Sequence, residues 1–455
     1  MLLFVALAWP LAAFGGVYRW AAVPYLAGCA AIALTQAGRI GRMDGGDLRL
    51  NLALAGVVAL AWLQLLPLPE SVLAWVSPAT PALADTMRLA PRTAGWAPIS
   101  VDPSATAWAC GILTANVVLF VAAQALFSVG GVRGAIRSIA WLGMLCGALA
   151  LAQTATHSRA IYWWWVPFGE GAEPFGTFVN RNHFATWVIM AAPVCFGYVV
   201  ARLYRSAGDA PTHHGMSRLV DMLDGRTLSL FCAGVLMCVA LFVNLSRSGI
   251  VGLAAAAIFM LALGRRQIDR NRRRWLGAYV AVTALCVALF ADIGGLLGRV
   301  METLDRGSGR QAIWRETLPV LEDFWAAGTG AGTYETAMLV YQESDRLFYF
   351  NQAHNQFLQI LTEGGLLLSV PTVVVAMLFI SLARLRIGAD RTARVWLRLG
   401  AAGGLTAVAV QSIWETGLRM PANAALAVVL AAIVVHAPRE DRHHDEDSHG
   451  TAARV

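Results

Sequence analysis

The chain contains no lysine: all 35 of its basic residues are arginine. Charge of either sign is scarce, at 14% of 455 positions against 57% hydrophobic residues. A soluble globular protein carries about 25% charged residues, so the two or three soluble domains that length alone suggests are excluded. Cysteine is also sparse. The seven (Cys29, Cys110, Cys146, Cys195, Cys232, Cys238 and Cys286) are odd in number, form no CxxC pair and all sit inside apolar runs. They read as small packing residues, neither a disulfide framework nor a metal site. No basic motif with interleaved aromatics lies outside the apolar runs, so the net charge of +7 does not point to a nucleic-acid partner.

What is present is a series of long apolar runs, the signature of transmembrane helices. Twelve segments are predicted, at 2–18, 20–37, 50–67, 105–127, 137–156, 183–201, 227–244, 249–264, 275–292, 356–383, 398–415 and 421–437. The small residues of "PLAAFGG" near the end of the first resemble a signal-peptide cleavage site. It lacks a basic leading region, however, and is read as a helix.

The arginines fall unevenly between these segments. Alternate connections (38–49, 128–138, 202–226, 265–274, 384–398 and the tail after 437) hold 23 of them and the other set holds 12. The positive-inside rule makes the first set cytoplasmic, with "GRRQIDRNRRRW" as its strongest anchor and both termini inside. The tail 438–455 is charged, low in hydrophobics and expected to be disordered and solvated. No connection on the inner side is long enough to form a nucleotide-binding domain, which argues against a nucleotide-sugar glycosyltransferase. Two outer connections are long, 68–104 and 293–355. In the second, Trp314, Leu318, Leu321 and Trp325 repeat at helical spacing, predicting an amphipathic helix against the membrane surface, kinked at Pro319. "YWWW" at 162–165 reads as an interfacial aromatic belt in preference to a sugar-stacking platform.

Four outer stretches are more polar than their surroundings require: "FGTFVNRNHFA", "NLSRSG", "DRGSGRQAIW" and "AHNQFLQ". The first three each bring an arginine to the outer face, namely Arg181, Arg247 and Arg310. Any one alone would read as an interfacial anchor. Three together, on the side where arginine is scarce, read as a site for a dense anion such as a diphosphate, whose oxygens fit the guanidinium fork two at a time. In the fourth stretch His354 stands among Asn351, Gln352, Asn355, Gln356 and Gln359, groups suited to sugar hydroxyls. Histidine ordinarily titrates near pH 6.5, so a neutral imidazole can take a hydroxyl proton. The residues alone leave His354 open between that role and a structural one. "GTGAGTY" at 328–334 lacks a preceding strand and a GKS/T ending, so it reads as a turn and not a phosphate loop. Glu363 and the Glu415/Arg419 pair read as structural ion partners.

In order along the chain, "FGTFVNRNHFA", "SRSG", "GRQAIWRETL…GTGAGTY", "AHNQFLQILTEGGLL" and "ETGLRMPANAALAVVL" resemble the successive motifs of the O-antigen ligase and polymerase superfamily. The likeness spans roughly 175–430, and the first 174 residues match only in hydropathy. Two positions depart from the pattern: Gln356, where many relatives carry an acidic or small polar residue, and Glu415, where aspartate is common.

The resemblance implies an all-α integral membrane fold, GT-C-like, with about twelve helices and a large periplasmic loop. It divides the chain into N-terminal helices (1–174), a catalytic membrane domain (175–437) and the tail. It further implies a bacterial inner-membrane glycosyltransferase that moves a glycan from undecaprenyl diphosphate to an acceptor hydroxyl on lipid A-core or a growing polysaccharide. Such an enzyme uses no cofactor and no metal. By motif, Arg181 and Arg310 would hold the diphosphate with Arg247 as a further contact, and His354 would be the essential histidine. Asn180, His183, Asn355 and Gln359 are candidate sugar contacts. The alternatives are a repeat-unit polymerase of the same superfamily and, from another class, a transporter of lipid-linked sugars. The latter would show similar halves and mid-membrane polar residues, and neither is evident.

Overall fold

The computed structural model describes residues 1–40, 45–87, 95–168, 172–206, 224–265, 309–344 and 349–437. The predicted segment 275–292, the start of the long outer connection and the tail lie outside them. Helix boundaries follow side-chain caps. Asp102 accepts a hydrogen bond from the Ala105 amide, with Pro103 in the first turn, and starts α6 (Pro103–Ser128). Asp224 starts α9 (Gly225–Asn244) through Thr227, and Ser246 starts α10 (Arg247–Gly264) through Gly249. Asn355 starts α13 (Gln356–Ala389) through the amides of Phe357 and Leu358.

Among the described residues, seven helices are long and apolar enough to cross a membrane. They are α2 (Arg19–Ile40), α6, α7 (Val132–Ala155), α8 (Arg181–Ser206, its span ending at Tyr204), α9, α10 and α13. The protein is thus a multi-pass helical membrane protein, with fewer qualifying spans than the twelve apolar segments. The first segment is the clearest departure. Phe14, Gly15 and Gly16 all take positive φ (59°, 73° and 78°), ending α1 at Leu2–Ala12. At about 1.5 Å per residue, eleven residues reach roughly half of a bilayer core. α15 (Pro421–Val435) is also short, and α3 (Gly45–Leu63) and α14 (Arg394–Gln411) fall outside the seven.

α8 is the axis of the bundle: 89% of its apolar window is buried, against 11% for α13. It packs against α7, α9, α10, α14 and α15. Its crossing with α14 is close because Gly197 and Gly400 face each other's backbones, where a Cβ would collide with carbonyl oxygens. One core runs from Leu7 and Leu119 through Trp187 to Leu430, so the N-terminal helices share packing with those after residue 174. Helix α13 turns Val370, Val373 and Met377 outward, as a lipid-facing helix does. Five of the six described cysteines are buried, Cys232 is exposed, and all six are free thiols.

Where α14 begins and α15 ends, Arg398 is almost fully buried. It donates to the carbonyls of Val434 and His436 and pairs with Asp390 at 3.2 Å. A cation there satisfies the last carbonyls of α15 and the negative end of its dipole.

The described parts of the two long connections, 68–104 and 293–355, fold together over the opposite end of the bundle. Leu68–Pro69 (β1) pairs antiparallel with Trp96–Ala97 (β2), flanking α4 (Glu70–Val76) and α5 (Ala79–Thr86). They pack against α11 (Gly309–Asp323) and α12 (Tyr334–Tyr341). α11 continues through Pro319. Ile313, Thr317, Val320 and Phe324 face inward, whereas Leu318 and Trp325 are exposed. Thr317 is admitted to this core because its hydroxyl bonds to the Ile313 carbonyl and the Tyr334 hydroxyl, both at 2.7 Å. "YWWW" forms a tight turn bridged from Ile161 to Trp165, with positive φ at Tyr162 and Trp163. It leaves Trp163 and Trp164 exposed, while Trp165 stacks on Phe14 at 4.8 Å.

Candidate functional site

Three chain segments meet at the start of α8. The stretch before α8 doubles back through Gly176, and the Arg181 amide donates to the Glu173 carbonyl at 2.8 Å. Asn180 accepts from the Asn182 amide at 2.8 Å, closing the first turn. The turn between α9 and α10 docks on this start: Asn244 donates to the Arg181 carbonyl at 3.0 Å, and Ser246 donates to the Asn182 side-chain oxygen at 2.9 Å. Arg247, exposed, begins α10 beside it.

The second segment is the approach to α13. Ala353 is pinned on both sides, its amide donating to Gln359 at 3.0 Å and its carbonyl accepting from Trp314 at 2.9 Å. Asn355 is the helix cap. Between them His354 adopts φ 47°, an uncommon conformation for a residue with a side chain. The surrounding hydrogen bonds hold it there, which fixes where the imidazole projects.

The third segment leaves α14 and carries Glu415, which is 1% exposed. A carboxylate so placed is costly unless paired. Its Oε1 accepts from Arg310 and from Asn182, the latter at 2.8 Å. Its Oε2 stands 3.6 Å from His354 Nδ1, and neither atom has another hydrogen-bond partner among the described residues. Glu415 therefore links an arginine on α11, an asparagine on α8 and the histidine before α13.

Below this hub the glycine-rich turn meets α13. That helix breaks at Gly365 (φ 53°, ψ −156°), where the chain around Ala326–Gly328 crosses it so closely that Gly328 and Gly365 have no room for a Cβ. The amides of Gly332 (2.8 Å) and Tyr334 (3.3 Å) donate to the Glu363 carboxylate, joined by Gln359 at 2.7 Å. "GTGAGTY" is thus a turn, as its sequence suggests, and the anion it cradles is a carboxylate. Gln64, fully buried, ties the parts together through the Ala327 and Glu363 carbonyls and the Ala331 amide.

The residues singled out in the sequence are placed as follows. Arg310 and His354 meet at Glu415. Arg181 neighbours them, with its Nε 2.7 Å from Glu173. His183 is buried, and its backbone carbonyl accepts from Asn423 at 3.1 Å. Asn355 and Gln359 are engaged in holding the start of α13. Arg419 pairs with Glu363 at 3.9 Å and not with Glu415. The chain between them forms a 3₁₀ turn, Gly417–Arg419, so the α-helical four-residue spacing does not apply. Sequence reading does not single out Asn182, and it marks Glu415 only as an ion partner of Arg419 and a departure from the family pattern; its signal was a glutamate in a short turn between apolar segments.

Residues 232–373 match the family model of the O-antigen ligase. Over these residues the chain is similar to that family. The matched stretch is about a third of the chain, from within α9 to the middle of α13. It takes in Arg247, Arg310, His354 and Glu363. Arg181, Asn182 and Glu415 lie outside it, and it is the folding that brings them to the matched residues. No curated protein matches the chain. The match supports an O-antigen ligase-like membrane glycosyltransferase.

Proposed function

We propose that the protein transfers a glycan from undecaprenyl diphosphate to an acceptor hydroxyl, inverting the anomeric carbon, on the periplasmic side of the bacterial inner membrane. The observation that carries this reading is the buried Glu415 between Arg310 and His354. A carboxylate facing Nδ1 favours the tautomer with its proton there and leaves Nε2 to accept a proton. In the reaction the acceptor oxygen bonds to the anomeric carbon as that carbon's bond to the diphosphate oxygen breaks. The bonding pair leaves with the diphosphate, and the hydroxyl proton passes to His354 Nε2. Glu415 then faces an imidazolium, which it stabilises. Arg310, Arg181 and Arg247, at the starts of three neighbouring helices, supply fixed cations for the charge gathering on the leaving group.

Ligase chemistry is preferred to transport because the polar hub lies at one end of the bundle and not at mid-membrane. The acceptor is lipid A-core in this reading, with a growing polysaccharide as the polymerase variant. The proposed displacement uses no metal, as the family resemblance implies. Purified enzyme given a defined lipid-linked donor should yield product of inverted configuration at an unchanged rate in EDTA. Retention of configuration would overturn the single displacement, and loss on chelation restored by Mg²⁺ would overturn metal independence. Sidedness follows the arginine bias: alkaline phosphatase fused after Tyr341 should be active and fused after Ala389 inactive, and the reverse would reject the periplasmic placement.

A further inference from the structure

At the end of the bundle opposite the candidate site, a small pocket is lined by Arg133, Arg202 and Arg394 together with Tyr198, Ala201 and Leu397. We propose that this pocket binds the phosphate of an anionic lipid headgroup. The three guanidiniums come from three helices, α7, α8 and α14, so the fold brings like charges together that sequence distance keeps apart. Against them stands Asp224, which pairs with Arg202 at 2.7 Å. Asp390, on the approach to α14, is engaged by Arg398. Arg133 and Arg394 have no acidic partner among the described residues. Such a group repels itself unless an anion sits between its members.

Two further features point to a ligand. α7 and α14 both begin at this pocket without a side-chain cap, so their positive dipole ends add to the arginines. Tyr198, buried to 7% exposure, lines the same pocket, and its hydroxyl makes no hydrogen bond with any described residue. A phosphate would accept from that hydroxyl and from the arginine forks at once. The position favours a lipid over a free anion. The pocket lies at the ends of membrane-spanning helices, its walls include Ala201 and Leu397, and basic pockets between such helices hold acidic headgroups.

The test uses the full-length protein in detergent, titrated with dioleoylphosphatidylglycerol, dioleoylphosphatidylcholine or inorganic phosphate. Thermal unfolding is followed, and retained lipid is counted by native mass spectrometry. Phosphatidylglycerol should raise the midpoint and be retained, and phosphatidylcholine should not. The Arg133→Gln/Arg394→Gln variant should bind it roughly 30-fold more weakly, at about fivefold per arginine. Tyr198→Phe, which keeps the packing, should weaken it about fivefold, the value of one hydrogen bond, and it serves if the double variant does not fold. Equal stabilisation of wild type and variants would overturn the site. A full shift from inorganic phosphate alone would overturn the lipid assignment in favour of a free anion.

Discussion

Alanine in place of His354 should cut turnover of the purified enzyme about 10²–10⁴-fold while lipid-linked donor still binds. The geometry adds a second arm. Glu415 reaches no further than His354 Nδ1, Arg310 and Asn182, so any effect it has on the acceptor hydroxyl passes through the imidazole. Glu415→Gln keeps the side chain's size and a carbonyl for Arg310 and Asn182, and removes the charge facing Nδ1. It should lower kcat more than it raises KM for the donor. The His354→Ala/Glu415→Gln double variant should then be no slower than His354→Ala alone, because residues acting as one unit are not additive. Losses that multiply would show that Glu415 works independently of His354. A full-speed His354→Ala enzyme would remove the general base from the mechanism.

Much of this arrangement is legible before any coordinates, and the parts that are not have physical reasons. Hydropathy finds the helices because a bilayer demands long apolar runs, and the three arginines and His354 stand out because charge and amides are conspicuous in such a chain. Hydropathy cannot show where an apolar run breaks. Phe14 looks like any core residue, yet with Gly15 and Gly16 it turns left-handed and halves the first segment. The apolar stripe on α11 says nothing of the face beside it, where Thr317 is buried because its hydroxyl finds partners inside. Glu415 looked paired to Arg419 by helical spacing, in a stretch that is not α-helical. Its true partners lie 105 and 233 residues away. Separation of that size is set by the packing of α8, α11 and α14, which no local pattern reports.

The two arginines proposed to hold the diphosphate should behave differently, because their partners do. Arg181 pairs with Glu173, whose side chain is 61% exposed, and an exposed pair contributes little to stability. Arg181→Ala should therefore weaken donor binding and slow turnover, leaving the melting midpoint nearly unchanged. Arg310 pairs with a carboxylate that is 1% exposed. Removing it leaves Glu415 buried with Asn182 and His354 and no fixed cation, a change that costs about 3–5 kcal/mol in a fully buried pair and less here, since Arg310 itself is 30% exposed. Arg310→Ala should thus lose about 10²–10³ in turnover, the scale of a missing transition-state donor, and also melt early. Adding Glu415→Gln should restore much of the midpoint and none of the activity, since the orphaned charge is gone while the cation for the leaving group is still missing. Lysine at 310 should recover the stability better than the rate, because an ammonium balances Glu415 but lacks the fork that grips two phosphate oxygens. Full activity in both Arg181→Lys and Arg310→Lys would return these residues to interfacial anchors, where lysine serves as well as arginine.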